Sequence, residues 1–312
     1  MKKFLVRTSR FWFPLLASFL VVQISQARGA FGDELKIFTY SSPGIDWRDP
    51  NRLARTIVKN FTGRSGYPMG HVAVEVSCDA TATEPAFRQA TGMTDAKKSE
   101  ARTFLLLKGG GLGALFHSFQ GRMQSTDEVD TDNAVEKSKG GNMRYIAYDI
   151  SASTCRRLAT YLTEYRENKV YTRYGLPNSP RHAEGAGCSA FGVSLVELAG
   201  LLTSDLKAAW SMNIAAPAKL VGGPMTGKRV SLLSLLIRSK KNRRWAESGE
   251  AQFGVFFYEP DLIFKWIGAR IDEEVANPSG RFEIERQGKV IGMRIDARNV
   301  STPKEPIWWV QP

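Results

Sequence analysis

Apolar residues recur along this chain in two periods, and together they mark out a series of short elements. HVAVEV (71–76) runs in the two-residue period of a strand. KIFTY (36–40) and RYIAYDI (144–150) read the same way, and RTFLLL (102–107) and ALFHSF (114–119) predict two more strands joined across KGGGLG. DPNRLARTIVKNF (49–61) carries Leu53, Ile57 and Phe61 on one helical face. Asp49 can cap that helix, Pro50 suits its first position, and Gly63 and Gly66 end it. SASTCRRLATYLTEYRE (151–167) predicts a second helix, capped by Ser151 or Ser153. CSAFGVSLVELAGLL (188–202) predicts a third, with Phe191, Leu195 and Leu198 on one face. Between these two, residues 171–187 form a loop rich in Gly, Pro, Asn and Ser. The polar stretch 124–142 lacks apolar periodicity and ends in Gly140-Gly141, so it reads as a surface loop.

After residue 203 the pattern weakens. SLLSLLI (231–237) and FGVFFYE (253–259) read as buried elements, and RFEIERQGKVIGMRID (281–296) as a hairpin turning at Gln287-Gly288. The fold class expected is α+β: an antiparallel sheet packed against the helix that begins at Cys188. Residues 28–202 form its core, and residues 203–312 form an extension packed on that core or a separate domain.

The first residues change how the rest is read. MKKFLVRTSR is basic, and FWFPLLASFLVVQI (11–24) is apolar but shorter than the roughly 20 residues of a membrane span. Ser25-Gln26-Ala27 then offers small residues where a signal peptidase cuts. Residues 1–27 are therefore expected to be a signal peptide of an exported (periplasmic or secreted) protein, with no transmembrane span in the mature chain. The leader carries Lys2, Lys3, Arg7 and Arg10, leaving the mature chain near +8 of the full +12. A basic exported chain is drawn to anionic polymers, and RSKKNRR (238–244) is its densest basic run. An anionic envelope polymer is one expected partner. Nucleic acid is not, because no binding motif is present.

Export makes the cysteines informative, and there are only three: Cys78, Cys155 and Cys188. Cys188 stands at a helix start behind Gly185-Ala186-Gly187. A helix N-terminus favours a thiolate through its unpaired N–H groups and its macrodipole. The same N–H groups can receive an oxyanion during acyl transfer. The small neighbours, Ser189 included, would let a substrate carbonyl approach. Cys78 and Cys155 lie away from glycine-rich approaches and are the preferred disulfide pair, although sequence leaves the connectivity open. Packing as a small buried hydrophobe is the plainer reading of any of the three.

A cysteine nucleophile needs a base, and the only histidines are His71, His117 and His182. All precede Cys188, so the order must be histidine first and cysteine second. His71 opens a strand, which is a rigid place for a base; His117 lies in FHSF; His182 lies in the loop six residues before the thiol.

YTRYGLPNSPRHAEGAGCSAFGV (171–193) resembles the nucleophile segment of NlpC-type papain-like cysteine hydrolases. GHVAVEV (70–76) resembles their histidine strand, and ALFHSFQG (114–121) the next strand, which carries a third polar residue. The cysteine segment comes last here, as in the circularly permuted, lecithin:retinol-acyltransferase-like branch. The resemblance covers roughly residues 67–202. It implies a permuted papain-like core with Cys188 as nucleophile, His71 as base and His117 as the group orienting His71. Glu75, on the same strand face as His71, is the alternative orienter. The family's oxyanion-assisting tyrosine maps to Tyr171 or Tyr174, and His182 and Ser189 fall beside the substrate. The sequence departs from the family at Gly187, where Asp is usual, and at Ala190, where Gly is usual. The long interval between His71 and His117 implies an insertion near residues 79–101.

Two other signals lead nowhere. KGGGLG (108–113) could cradle an anion but reads as a hairpin loop between two strands. GGPMTGK (222–228) imitates a phosphate-binding loop, but Arg229 stands where Ser or Thr must ligate magnesium. No His, Cys and carboxylate set has zinc-like spacing, so neither metal nor cofactor is expected. The function expected is an exported thiol hydrolase that cleaves amide bonds in cell-wall (peptidoglycan) peptides. A lipid-directed thiol hydrolase or acyltransferase is the enzymatic alternative. A cell-envelope binding protein with a degenerate site is the non-enzymatic one.

Overall fold

The chain builds most of its structure around one strand, residues 71–78, buried along its whole length. The computed structural model describes residues 32–62, 67–97, 100–237 and 244–312. The leader and all of RSKKNRR except Arg244 lie outside them; Arg244 pairs with Glu250 at 2.6 Å. In order, the first elements are β1 (Glu34–Tyr40), α1 (Pro50–Thr62), β2 (His71–Cys78), β3 (Phe87–Thr91), β4 (Met93–Asp95) and α2 (Glu100–Leu106). Next come β5 (Phe119–Met123), α3 (Thr126–Lys139), β6 (Met143–Asp149), α4 (Ala152–Glu167), β7 (Arg173–Tyr174) and α5 (Cys188–Leu198). The last are α6 (Ser204–Trp210), β8 (Ser211–Pro217), α7 (Leu232–Leu236), β9 (Gln252–Tyr258), α8 (Pro260–Ala276), β10 (Glu283–Gln287) and β11 (Val290–Asp296).

The fold is mixed α+β, and antiparallel pairs dominate its sheets. The main sheet has the order β10-β11-β6-β1-β2-β3. Only β11 and β6 run parallel in it. Alternation along the strands gives the sheet two apolar faces. Leu35, Ile37, Val72, Val74, Val76 and Ile146 face α4, α5 and α8 in the largest core cluster. Phe38, Tyr40, Ala73, Ala90 and Tyr145 pack with Val129 of α3 on the other side. A small sheet, β4-β5-β7, stands beside the main one, and β8 and β9 pair as a separate ribbon.

Four sequence expectations change here. RTFLLL falls in helix α2, because a short apolar run does not distinguish strand from helix. ALFHSF opens with a 3₁₀ turn at Leu112–Leu115, and the strand starts only at Phe119. The polar stretch after Gln124 is the helix α3, started by a capping box in which Ser125 and Glu128 satisfy each other's backbone N–H groups. Finally, residues after 203 do more than pack on a core. β10 and β11 complete the main sheet, and α8 supplies Ile263, Ile267 and Ile271 to the largest cluster. GGPMTGK is a turn, closed by the Gly223 N–H donating to the Lys228 carbonyl at 2.8 Å.

Cys78, at the end of β2, is joined to Cys155 of α4 by a disulfide bond. The two cysteines are 77 residues apart in sequence, so the bond restricts a long loop of the unfolded chain. Replacing both by serine should lower unfolding stability by about 2–5 kcal/mol. A urea midpoint unchanged from that of the oxidised protein would show that the tie contributes nothing.

Candidate active site

Cys188 is the first residue of α5 and is 7% exposed. Two close approaches put it there. Gly192, one turn along the helix, lies so near β2 that a Cβ would come within 2.6 Å of Val72 Cγ1. In the preceding loop Gly185 has φ +84°, and a Cβ there would come within 2.1 Å of the Arg173 carbonyl. That carbonyl accepts a hydrogen bond from Ala186 N–H at 3.1 Å. Gly187, the cap residue, has no side chain to bond the first turn. The N–H groups that a Ser or Asp cap would satisfy are thus left for another acceptor.

His71 begins β2 opposite Tyr40 of β1 and is almost fully buried. Its ring stacks on Tyr67, with centroids 4.4 Å apart and planes at 4°. Nε2 lies 2.6 Å from Oε1 of Gln124. His71 is the neighbour that favours the thiolate of Cys188, and with Nε2 engaged by Gln124, Nδ1 is the nitrogen left for the sulfur. Burial works against ionising Cys188, but the favourable interaction with His71 outweighs it and brings the thiol down to about 7. Tyr174, on β7 opposite Phe119, lines the same pocket as the sulfur. Burial and the neighbouring thiolate keep its phenol protonated, well above the usual tyrosine range.

Gln124 was missed in the sequence. It sits directly after β5, where its backbone N–H donates to the Gly92 carbonyl (2.8 Å) and its carbonyl accepts from Thr91 Oγ1 (2.8 Å). Gly92 lies over the His71–Gln124 hydrogen bond. A Cβ there would meet Gln124 Oε1 at 2.6 Å and His71 Nε2 at 3.0 Å. The only sequence signal for Gln124 was the capping box immediately after it, which marks the end of a strand and the start of a helix.

The other expected site residues fall elsewhere. His117 stacks on Phe104 (4.5 Å, 5°) with its edge to Phe119, and His71 is not among its ring partners. The side chain bonded to Nε2 of His71 is Gln124, not His117. Glu75 is engaged on the sheet by Arg88 (2.5 Å) and Lys36 (3.4 Å), not by His71. His182 bonds Ser179 within its own loop (2.8 Å), and Tyr171 packs against the core. Ser189 does stand beside the thiol, its Oγ 3.8 Å from Sγ.

A narrow cleft of about 50 Å³ opens over Cys188. Met69, Gly70, Tyr174, Leu176 and Ser189 line it, together with Trp47, Phe257, Tyr258, Glu259 and Pro260. Residues 257–260 belong to the β9–α8 junction, and Pro260 lies against Gly70, where a Cβ would approach within 2.9 Å. Glu259 caps α8 by accepting from Leu262 N–H at 2.6 Å. Burial, with Asp261 beside it, pushes its carboxyl up to about 7. One group with possible metal-ligand geometry occurs among the described residues, Asp33 with Cys78 and Cys155, and the disulfide already joins both sulfurs.

Compared with family models, curated proteins and solved structures, the chain matches none. No helix among the described residues is long and apolar enough to cross a membrane.

The thiolate fraction of Cys188 should govern its alkylation. The rate with iodoacetamide should climb with pH through a midpoint near 7. In His71→Ala the favourable partner is gone while burial remains, so the midpoint should rise above the ordinary thiol value of about 8.5. An unshifted midpoint in that variant would separate the histidine from the ionisation of the thiol.

Proposed function

We propose that this protein is an exported thiol hydrolase with a permuted papain-like core, which cleaves amide bonds in cell-wall peptides. The observation that carries this reading is one buried line of contacts. Cys188 at an uncapped helix start meets His71 at a strand start, and Gln124 holds the far side of the ring. The order along the chain, histidine strand before cysteine helix, supports the permuted arrangement. The Cys78–Cys155 disulfide supports an oxidising compartment.

The chemistry follows from the geometry. His71 takes the thiol proton, and the thiolate of Cys188 attacks the carbonyl carbon. The electron pair displaced onto oxygen is received by the N–H groups at the start of α5 and by the Tyr174 hydroxyl. Collapse expels the amine, which takes the proton from His71, and leaves a thioester on Cys188. Water then gives a proton to His71 and attacks the thioester; the acid leaves and the thiol is restored. Gln124 keeps the ring in place throughout and takes no proton, the role of the third member of a triad.

Digestion of purified peptidoglycan fragments tests the proposal. Cys188→Ala should abolish cleavage, and Gln124→Ala should lower kcat by about 10²-fold. His117→Ala should leave the rate per folded molecule unaltered, since its ring only stacks on Phe104 and Phe119. Undiminished cleavage by Cys188→Ala would end this reading.

A further inference from the structure

Beyond Gln124 the hydrogen-bond chain continues into α3. Gln124 Nε2 donates to the Tyr67 hydroxyl (3.3 Å) and to Asp132 Oδ2 (3.4 Å). The Tyr67 hydroxyl itself donates to Asp132 Oδ2. Each link has a direction, and only the last has a fixed one. An ionised carboxylate can accept hydrogen bonds but cannot donate them. A hydroxyl, a primary amide and a neutral imidazole can each be turned either way.

We propose that Asp132 is a positioning residue that sets the tautomer of His71 through Tyr67 and Gln124. The argument runs link by link. Asp132 accepts, so the Tyr67 proton points to it, and the Tyr67 oxygen faces Gln124 as an acceptor. Gln124 must then present its NH₂ to Tyr67 and Asp132. The reversed amide would set its oxygen against the carboxylate, lone pair to lone pair. With NH₂ turned that way, Oε1 faces His71 and can only accept. The neutral ring therefore carries its proton on Nε2 and leaves the Nδ1 lone pair towards Cys188. A base needs that lone pair, both for the thiol and for the water of the second half-reaction. Burial and Asp132 raise the ionisation of Tyr67 above the tyrosine range, which keeps the hydroxyl proton in the chain.

The residues are held firmly enough for this direction to persist. His71 and Gln124 are buried at 2% and 6% exposure. Tyr67 is fixed by its stack on His71 and by a second ring contact with Tyr40 at 4.9 Å. Asp132 rides on α3, whose start is locked by the Ser125–Glu128 capping box directly after Gln124. Without Asp132 the Tyr67 hydroxyl could donate to Gln124 instead. The amide could then turn and the proton on His71 move to Nδ1, facing the thiol.

The proposal rests on the reading of His71 as the base, and one of its two measurements needs no turnover. The chain has three histidines, so ¹⁵N-histidine NMR resolves each ring once His71→Ala has identified its signals. In Cys188→Ser, where no thiolate competes, neutral His71 should show a single Nε2–H tautomer. Adding Asp132→Ala should give a mixture with Nδ1–H. A pure Nε2–H signal in both would overturn the proposal, whatever the enzyme's activity. The second measurement is kinetic. Asp132→Ala should lower kcat by about tenfold with KM unchanged, a loss of positioning and not of substrate binding. Asp132→Asn keeps an acceptor oxygen for the Tyr67 hydroxyl and should recover most of that loss. An equal loss in Asp132→Ala and Asp132→Asn, with the tautomer unchanged, would overturn the proposal as well.

Discussion

The site depends on how closely α5 can lie against β2. The thiol is on the helix and the imidazole is on the strand, so the gap between these two elements sets the distance between sulfur and ring. Gly192 makes that gap small, because its missing side chain is what admits Val72. The rest of the surroundings keeps the two elements in register. β2 is paired on both sides, with β1 and with β3. The disulfide ties its end to α4. Arg181, buried in the loop before the thiol, pairs with Glu197 of α5 at 3.0 Å and bonds the carbonyls of Pro306 and Ile307. Trp309 covers its guanidinium at 4.0 Å. A thiol placed by a helix and a base placed by a strand share one rigid frame.

Two opposed effects act on Cys188 within that frame. Burial disfavours its charge, and a charged or hydrogen-bonded neighbour restores it. His71, with the Val72 backbone and Ser189, outweighs burial. A glycine cap contributes in a different way. Residue 187 forgoes the stability of a capping side chain, about 1 kcal/mol in ordinary helices, and leaves the first N–H groups of α5 without an internal acceptor. Stability is given up locally where an oxyanion would be received.

The parts of this arrangement that were legible in the sequence are the ones with a local signature. HVAVEV showed its strand by alternation, and CSAFGVSLVELAGLL showed its helix and thiol by a glycine-rich approach followed by an apolar face. Gln124 had no such signature, because its place is defined by Gly92, which is distant in sequence and adjacent only after β3, β4 and β5 have formed. His117 drew attention by residue type alone; its ring is absorbed in an aromatic stack. α3 was hidden by its surface. Among its residues only Val129 and Asn133 are buried, so an apolar face was nearly absent even though its cap was written plainly as Ser-Thr-Asp-Glu. Residues 203–312 gave no hint that two of their strands would join a sheet begun at residue 34, since strand partners far apart in sequence leave no local trace.

That late contribution has a bearing on when reactivity arises. Thiol and base both precede residue 200, but one wall of the cleft is made by residues 257–260, and the open side of β6 is covered only by residues 290–296. As the chain is synthesised, the residues of the Cys188–His71 pair thus emerge well before the wall that faces them. A nascent chain that stops short of α8 has a thiol open on one side and an unpaired strand edge beside it. On the reading proposed above, completion of the polypeptide, more than any single residue, would arm the site.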